Sequence, residues 1–321
     1  MMQSGPVHET KVGNGTTVQE FILLGFRVGQ QGRLLLLIFF MAVYALTLAE
    51  NIIIITIVVQ DSHLARLPMY ILLSHFSWLE MCYVSATVPR MLFDLSFPYG
   101  VISFHACFLQ FYNFFSLGNT ECFFLSAMAL DRYLAICRPL QYPKMMSQEA
   151  CYKLVAACWI LGFLWYAAPV FLISRLSFCG PNTIDHFVCD PGPLFALACP
   201  PLGYVPRLFN IFVSSVVLAT FLFIAVSYAF VTLTLVKKSS RSNRMKGFST
   251  VSSHLAVVTL FYGSVVAMYV EPNGEDRAET TKVVTLFYSA VTPLLNPLIY
   301  CLRNDQVKEA VSRRLQRKRM K

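Results

Sequence analysis

Charged side chains are scarce in this chain, so those inside or at the ends of its apolar runs mark where chemistry can happen. Asp131 and Arg132 sit side by side where an almost wholly apolar run, from about Phe104 to Met128, gives out. Glu80 and Glu121 lie within such runs. Charge held in or beside hydrocarbon is costly and usually functional. For Asp131 and Arg132 the plain reading is a solvated helix end with a salt bridge, and the sharper one a working ion pair at a membrane face. A carboxylate in hydrocarbon takes up a proton or finds a cation. Glu80 and Glu121 are therefore either two protonated acids hydrogen-bonded in a core or one site for a sodium ion or a shared proton. A further cluster, His186-Phe-Val-Cys189-Asp190, holds three types of metal ligand. A cysteine committed to a disulfide cannot also ligate as a thiolate, so a folded loop is the preferred reading and no metal site is expected. The six histidines, at 8, 63, 75, 105, 186 and 254, make no His-x-x-x-His or acid-His pair within a span, which argues against a membrane enzyme.

These residues need a scaffold, and composition says which kind. Of 321 residues 56% are hydrophobic and only 13% charged, too few charges to clothe a water-soluble surface of this size. In hydrocarbon the backbone is satisfied only within helices or a closed barrel. Long apolar runs without strict alternation favour helices, so the fold class is an all-α membrane bundle. The net charge of +9 is unevenly placed. Most Lys and Arg fall in alternate connections, at Arg66, at Arg132 to Lys153, at Lys237 to Lys246 and from Arg303 to Lys321. That bias marks the cytoplasmic side and leaves the amino terminus outside, with lipid and not nucleic acid as the basic partner. The first 30 residues lack the pattern of a cleavable signal, so the first span is expected to act as the address. Asn14-Gly15-Thr16 is a glycosylation acceptor on the predicted outer side.

Taken in order, residues 1–33 read as an extracellular tail, 34–302 as a bundle and 303–321 as a basic cytoplasmic tail. Spans are predicted at about Leu34 to Val59, Pro68 to Phe93, Phe104 to Cys137, Lys153 to Ile173, Val205 to Val236, Lys246 to Val270, and a seventh that follows a short acidic outer turn, Glu271 to Lys282. Glu50 and Asn51 interrupt the first, and an amide there is expected to face the bundle interior. The connection Ser174 to Tyr204 is long and without an evident regular pattern, which usually signals function. It holds Cys179, Cys189 and Cys199, and Cys107 stands at the outer end of the third span. Four cysteines allow three pairings. The basic run Lys237 to Lys246 suits lipid phosphates, a protein partner, or both.

Three strings carry a family likeness. Met128-Ala-Leu-Asp-Arg-Tyr-Leu-Ala-Ile-Cys-Arg-Pro-Leu-Gln-Tyr142, Lys246-Gly-Phe-Ser-Thr-Val-Ser-Ser-His254 with Phe261-Tyr-Gly263, and Pro293-Leu-Leu-Asn-Pro-Leu-Ile-Tyr-Cys-Leu-Arg-Asn304 occur in that order. Together they resemble the signatures of vertebrate odorant receptors, a branch of the rhodopsin-like G-protein-coupled receptors. Gly247, Val251 and Glu50 depart from the usual residues. The resemblance implies seven spans, no enzymatic activity, and disulfides Cys107 to Cys189 and Cys179 to Cys199. It also favours the sodium or shared-proton reading of Glu80 and Glu121, a sodium ion being the only cofactor in view. Cys301 is a weakly supported palmitoylation position.

The same resemblance implies a volatile ligand held between the outer halves of the third, fifth, sixth and seventh helices. Phe111, Phe114, Phe115, Gly118, Asn119 and Cys122 share one face of the third helix. Without the resemblance that face reads as helix packing. With it, the matching positions are Phe111, Phe114, Phe115, Gly118, Asn119, Val213, Val216, Tyr262, Val266, Tyr269 and Ser289. None is charged, which suits a small neutral, mostly apolar ligand. Inside the cell the implied partner is a heterotrimeric stimulatory G protein of the olfactory type, and the implied address is a plasma membrane, that of olfactory cilia. Asp131, Arg132, Tyr133, Tyr228, Asn296, Pro297 and Tyr300 are the positions carried over for activation. In the resting form Asp131 would hold Arg132, and in the active form Tyr228 and Tyr300 would turn toward it. The rival from another class is an ion-coupled transporter, since such carriers also bury carboxylates. They commonly show repeated halves, and no repeat is evident here.

Overall fold

A helix that crosses a bilayer must satisfy its backbone internally, show apolar side chains to lipid and keep polar ones inside, and the long helices here are built that way. The computed structural model describes residues 18–97, 100–237, 241–269, 277–303 and 307. In chain order it contains β1 (Glu20–Leu23), α1 (Gln30–Gln60), α2 (Pro68–Ser96), β2 (Gly100–Ser103), α3 (Phe104–Cys137), α4 (Tyr142–Met145), α5 (Gln148–Ser174), β3 (Thr183–Ile184), α6 (Pro191–Leu197), α7 (Val205–Lys237), α8 (Arg241–Tyr269), α9 (Arg277–Leu286) and α10 (Thr292–Arg303). A π-helical turn, Phe287–Val291, joins α9 to α10, so these three pieces make one seventh span. The seven long helices are the seven-helix bundle that the sequence predicts.

Helix α1 illustrates the inside-out rule. Its 31 residues reach about 46 Å at the helical rise, more than a hydrocarbon core needs. Phe40, Val43, Thr47, Asn51, Ile54 and Ile57 form the buried stripe, while Leu34, Leu35, Ile38, Leu46, Ile52 and Ile53 are exposed to what would be lipid. Four segments are long and apolar enough to cross on length and composition alone, at Gln30–Gln60, Gln148–Ser174, Val205–Lys237 and Glu279–Ile299. Helices α2 and α3 miss that mark because they carry the bundle's internal polarity. Ser77, Glu80 and Thr87 are buried on one, and Ser116, Asn119, Thr120 and Glu121 on the other.

Helix α3 is the central member, packed against α2, α5, α7 and α8. It starts at Ser103, whose side chain accepts from the Ala106 N–H, and α5 starts the same way with Ser147 and Ala150. The two helices come closest at Gly162, where an added Cβ would lie 2.9 Å from the Thr120 Cα. Only a glycine leaves room for that approach.

The outer side differs from the sequence reading in three places. The sequence reads residues 1–33 only as an extracellular tail, whereas β1 lies within it, pairing antiparallel with β2 and parallel with β3 in the order β2-β1-β3. Phe21 and Leu23 point into the core there, and burial of these two side chains holds the strand in place. The connection 174–204 also has regular structure, in β3 and in α6, which Asp190 caps by accepting the Gly192 N–H. The outer turn ends earlier than Lys282, because Arg277–Leu286 is already helical.

Candidate functional site

Three places gather the chemistry-bearing residues. The first is at the inner end of α3. Asp131, 1% exposed, accepts from the neighbouring Arg132 at 2.9 Å through Nε and also through NH2, and the Tyr142 hydroxyl donates to its other oxygen at 2.8 Å. The carboxylate is thus held from two sides, by its own helix and by the short α4. Burial first, and then the Asp131 carboxylate, pushes the Tyr142 phenol above its ordinary range. Tyr228 on α7 does not meet Arg132 here. Its hydroxyl is 2.5 Å from Nδ1 of His254 on α8, so it ties α7 to α8. Tyr133 stands apart from the ion pair, with its ring against Phe230. The Tyr300 side chain and Asn14 lie outside what is described. Tyr142 closes the signature string and His254 closes the second, so both partners were in view in the sequence without a reason to pair them.

The second place is the bundle interior. Asn296, just before Pro297 within α10, donates to Glu80 at 2.6 Å. Glu121 lies close enough on α3 for the two carboxyl groups to feel each other's charge. One oxygen of Glu80, one of Glu121 and the Asn296 carbonyl oxygen are buried without a hydrogen-bond partner among the described residues. Oxygen donors of that kind suit a hard cation or a proton shared between carboxyls. Asn51 faces inward, as expected of an amide there, and donates to Thr47 within its own helix at 2.9 Å. Glu50 is half-buried, with one oxygen unpaired.

The third is a cavity of about 1110 Å³ in the outer half. Phe114, Phe115, Gly118, Asn119 and Cys122 of α3 line it, with Val213, Ser214 and Val217 of α7, Phe261 and Val265 of α8, and Tyr288 of the π-helical turn. Phe114, Phe115, Gly118, Asn119 and Val213 therefore stand where the resemblance puts a ligand. Of the other positions, those that are described do not. Phe111 is sealed behind Phe115 and Phe209, and Val216 is buried one residue away from the wall. The Tyr262 hydroxyl donates to Thr220 at 2.8 Å, behind the wall. Val266 is 55% exposed on the outside of the bundle, with Val265 on the wall instead. Ser289 is buried beside Tyr288 and off the wall. The Tyr269 side chain is outside what is described. Asn119 has a second contact that the sequence does not reveal, donating to the Gly162 carbonyl at 3.4 Å.

A lid covers this cavity. Disulfides join Cys107 to Cys189, with Cα atoms 5.5 Å apart, and Cys179 to Cys199, at 5.0 Å. The first fastens the lid to the outer end of α3. Asp185 adds a polar clasp, accepting from Arg27 and from Lys282, each at 2.7 Å. Lys282, fully buried, also donates to Glu279 at 2.8 Å. Sequence reading missed this clasp, since its members lie in three separate connections and none belongs to a motif. Asp185, His186 and Asp190 line the cavity mouth beside Thr281.

A central third helix with an ion pair at its inner end, a buried carboxyl pair and a disulfide-pinned lid over an outer cavity define a seven-helix membrane receptor. The fold matches the crystal structure of squid rhodopsin with a TM-score of 0.69 over 90% of this chain and 82% of that one, at 16% identity. The sequence profile of the olfactory receptor family matches residues 40–318. Human olfactory receptors 11G2 and 11H6 are 52% and 51% identical, over 94% and 92% of this chain and 87% and 89% of theirs. The chain belongs to the olfactory receptor family. It is accordingly a multi-pass membrane receptor for odorants that acts through a G protein, and not an enzyme.

Proposed function

We propose that the chain binds a small, neutral, mostly apolar volatile molecule in the outer cavity and activates a stimulatory olfactory-type G protein, raising cAMP, in the ciliary membrane of olfactory neurons. The observation that carries the ligand class is the cavity wall. Its inner part is mostly aromatic and branched apolar, with Asn119, Asn210, Ser214 and the hydroxyls of Tyr83, Tyr166 and Tyr288 as its neutral polar groups. The acids at the mouth are already engaged, Asp185 by Arg27 and Lys282 and Asp190 by the Gly192 N–H. Asp185 is thus charge-paired, and the inner wall around Asn119 and Ser214 carries no charged side chain among the described residues. Arg132 is the proposed contact for the G protein, held by Asp131 until the bundle opens. With an odorant panel and a cAMP readout, Arg132→Ala is expected to abolish the ligand response while an amino-terminal tag still stains at the surface. Full signalling by that variant would overturn the assignment.

For the interior acids the proposal is a sodium ion or a shared proton that favours the resting bundle. Glu80, Glu121 and Asn296 would hold the ion, which would supply positive charge between two carboxyl groups and nothing more. Glu80→Gln and Glu121→Gln should each change basal cAMP and remove any sodium dependence of agonist potency. Unchanged behaviour in both would leave two protonated acids with a structural role.

A further inference from the structure

We infer that His186 is a specificity-determining hydrogen-bond donor, supplying an Nε2–H to an oxygen acceptor on the ligand. The inference rests on the cavity being the odorant site. His186 is 1% exposed and belongs to the cavity wall. Its Nδ1 receives the Val188 backbone N–H at 3.1 Å, so that nitrogen must present a lone pair. In a neutral imidazole the proton then sits on Nε2, which becomes a donor. That Nε2 is buried and has no acceptor among the described residues. A buried donor left unmatched is unfavourable, so the site favours a molecule that completes it.

The surroundings hold this arrangement. The imidazole stacks on Phe187, with ring centroids 4.7 Å apart, which fixes the plane of the ring. Its neighbour Asp185 is occupied by Arg27 and Lys282 and so is not its acceptor. Burial first, and then the Lys282 ammonium nearby, opposes a positive charge on the ring and favours its neutral form. His186 borders the cavity, and a ligand held there is the acceptor that we infer for Nε2. A ketone, aldehyde, ester or ether oxygen fits this donor. A hydrocarbon leaves it unmatched, and an ammonium group has no lone pair to accept from it.

The test uses matched odorants in cells expressing the full receptor, carvone with limonene and menthone with menthane, each pair differing by a carbonyl. His186→Phe keeps a stacking ring and removes both nitrogens, and His186→Gln keeps a terminal N–H. At matched surface expression, the ketone-over-hydrocarbon potency ratio should fall about tenfold in His186→Phe and recover in large part in His186→Gln. A ratio unchanged in His186→Phe overturns the inference. So does a wild-type receptor that prefers the hydrocarbons. Should the surface-expressed wild type respond to no odorant at all, the receptor reading itself fails. A ligand-free measurement decides the donor independently. In receptor labelled with 15N-histidine, the resonances lost in His186→Gln should be those of a neutral ring protonated on Nε2. A proton on Nδ1 instead would overturn the assignment.

Discussion

The clasp at Asp185 allows a prediction whose sign and size come from burial alone. Lys282 is fully buried, whereas the side chains of Asp185 and Glu279 are 30% and 51% exposed. Removing the acid and removing the base are therefore not equivalent. In Asp185→Asn the buried ammonium keeps only Glu279, half in solvent. Stranding one partner of a buried pair is destabilising by about 3 to 5 kcal/mol, and with Glu279 still present about 2 to 3 kcal/mol is expected. In Lys282→Met both acids can turn to water and Asp185 keeps Arg27, so the loss should be nearer 1 kcal/mol, as for exposed pairs. The double variant has no stranded ammonium. It should be more stable than Asp185→Asn alone, with a coupling of about 1 to 2 kcal/mol. Thermal unfolding of the purified receptor in detergent, together with surface staining in cells, measures all four proteins. Equal losses for the two single variants, or strict additivity in the double, would refute the reasoning and reduce the clasp to a surface ion pair.

Two further outcomes follow from the cavity. Asn119→Leu removes the cavity amide, so responses to oxygenated odorants should weaken by about tenfold, the equivalent of about 1.4 kcal/mol, while hydrocarbon analogues are kept or improved. Equal losses for both at matched expression would assign the amide to its contact with Gly162 instead. His186 gives a pH dependence. Burial first, and then the Lys282 ammonium, lowers its pKa from 6.5 to about 3, against a smaller opposing effect of the Asp185 carboxylate. Below about 6.5 the unfolded chain binds a proton that the folded one refuses, so this residue's contribution falls with falling pH and continues to fall toward about 3. Thermal stability compared at pH 7.5 and 5 should therefore drop less in His186→Gln than in wild type. An identical drop would show that other groups carry it.

The inner ion pair and the polar interior were legible in the sequence because polar residues are rare in its apolar runs and have few places to go. Glu80, Asn51 and Asn296 could be put inside by that argument, and Asp131 with Arg132 at a membrane face. The phase of the outer helices could not. Helix α7 is apolar both toward lipid and toward the cavity, so Val213, Val216 and Val217 are alike by residue type, and only packing decides that the first and last line the cavity. Val265 and Val266 on α8 pose the same problem, and the sequence reading chose the outward one. The lid was hidden for a different reason. Strand β1 is four residues long and draws its partners from β2 and from β3, far along the chain, so no local pattern announces it. Lys282 could be read only as the end of a short acidic turn, because its partner Asp185 lies in another loop.

What joins the outer cavity to the inner ion pair is α3 itself. Cys122 lines the cavity, Glu121 precedes it, and Asp131 follows about 14 Å further along the helix at the usual rise. Tyr83 and Tyr288 stand on the wall from the other side, stacked with Phe114 or on each other, and Tyr288 sits in the π-helical turn that leads into α10. Below that turn Asn296 holds Glu80 next to Pro297. A ligand that presses on Tyr288 thus bears on the segment that carries the buried carboxyl contact, while one that only fills the space near Val213 does not. Since equal affinity for two arrangements shifts neither, however tight the binding, agonists should be the ligands that reach Tyr288, and ligands confined to the mouth should occupy the cavity without signalling.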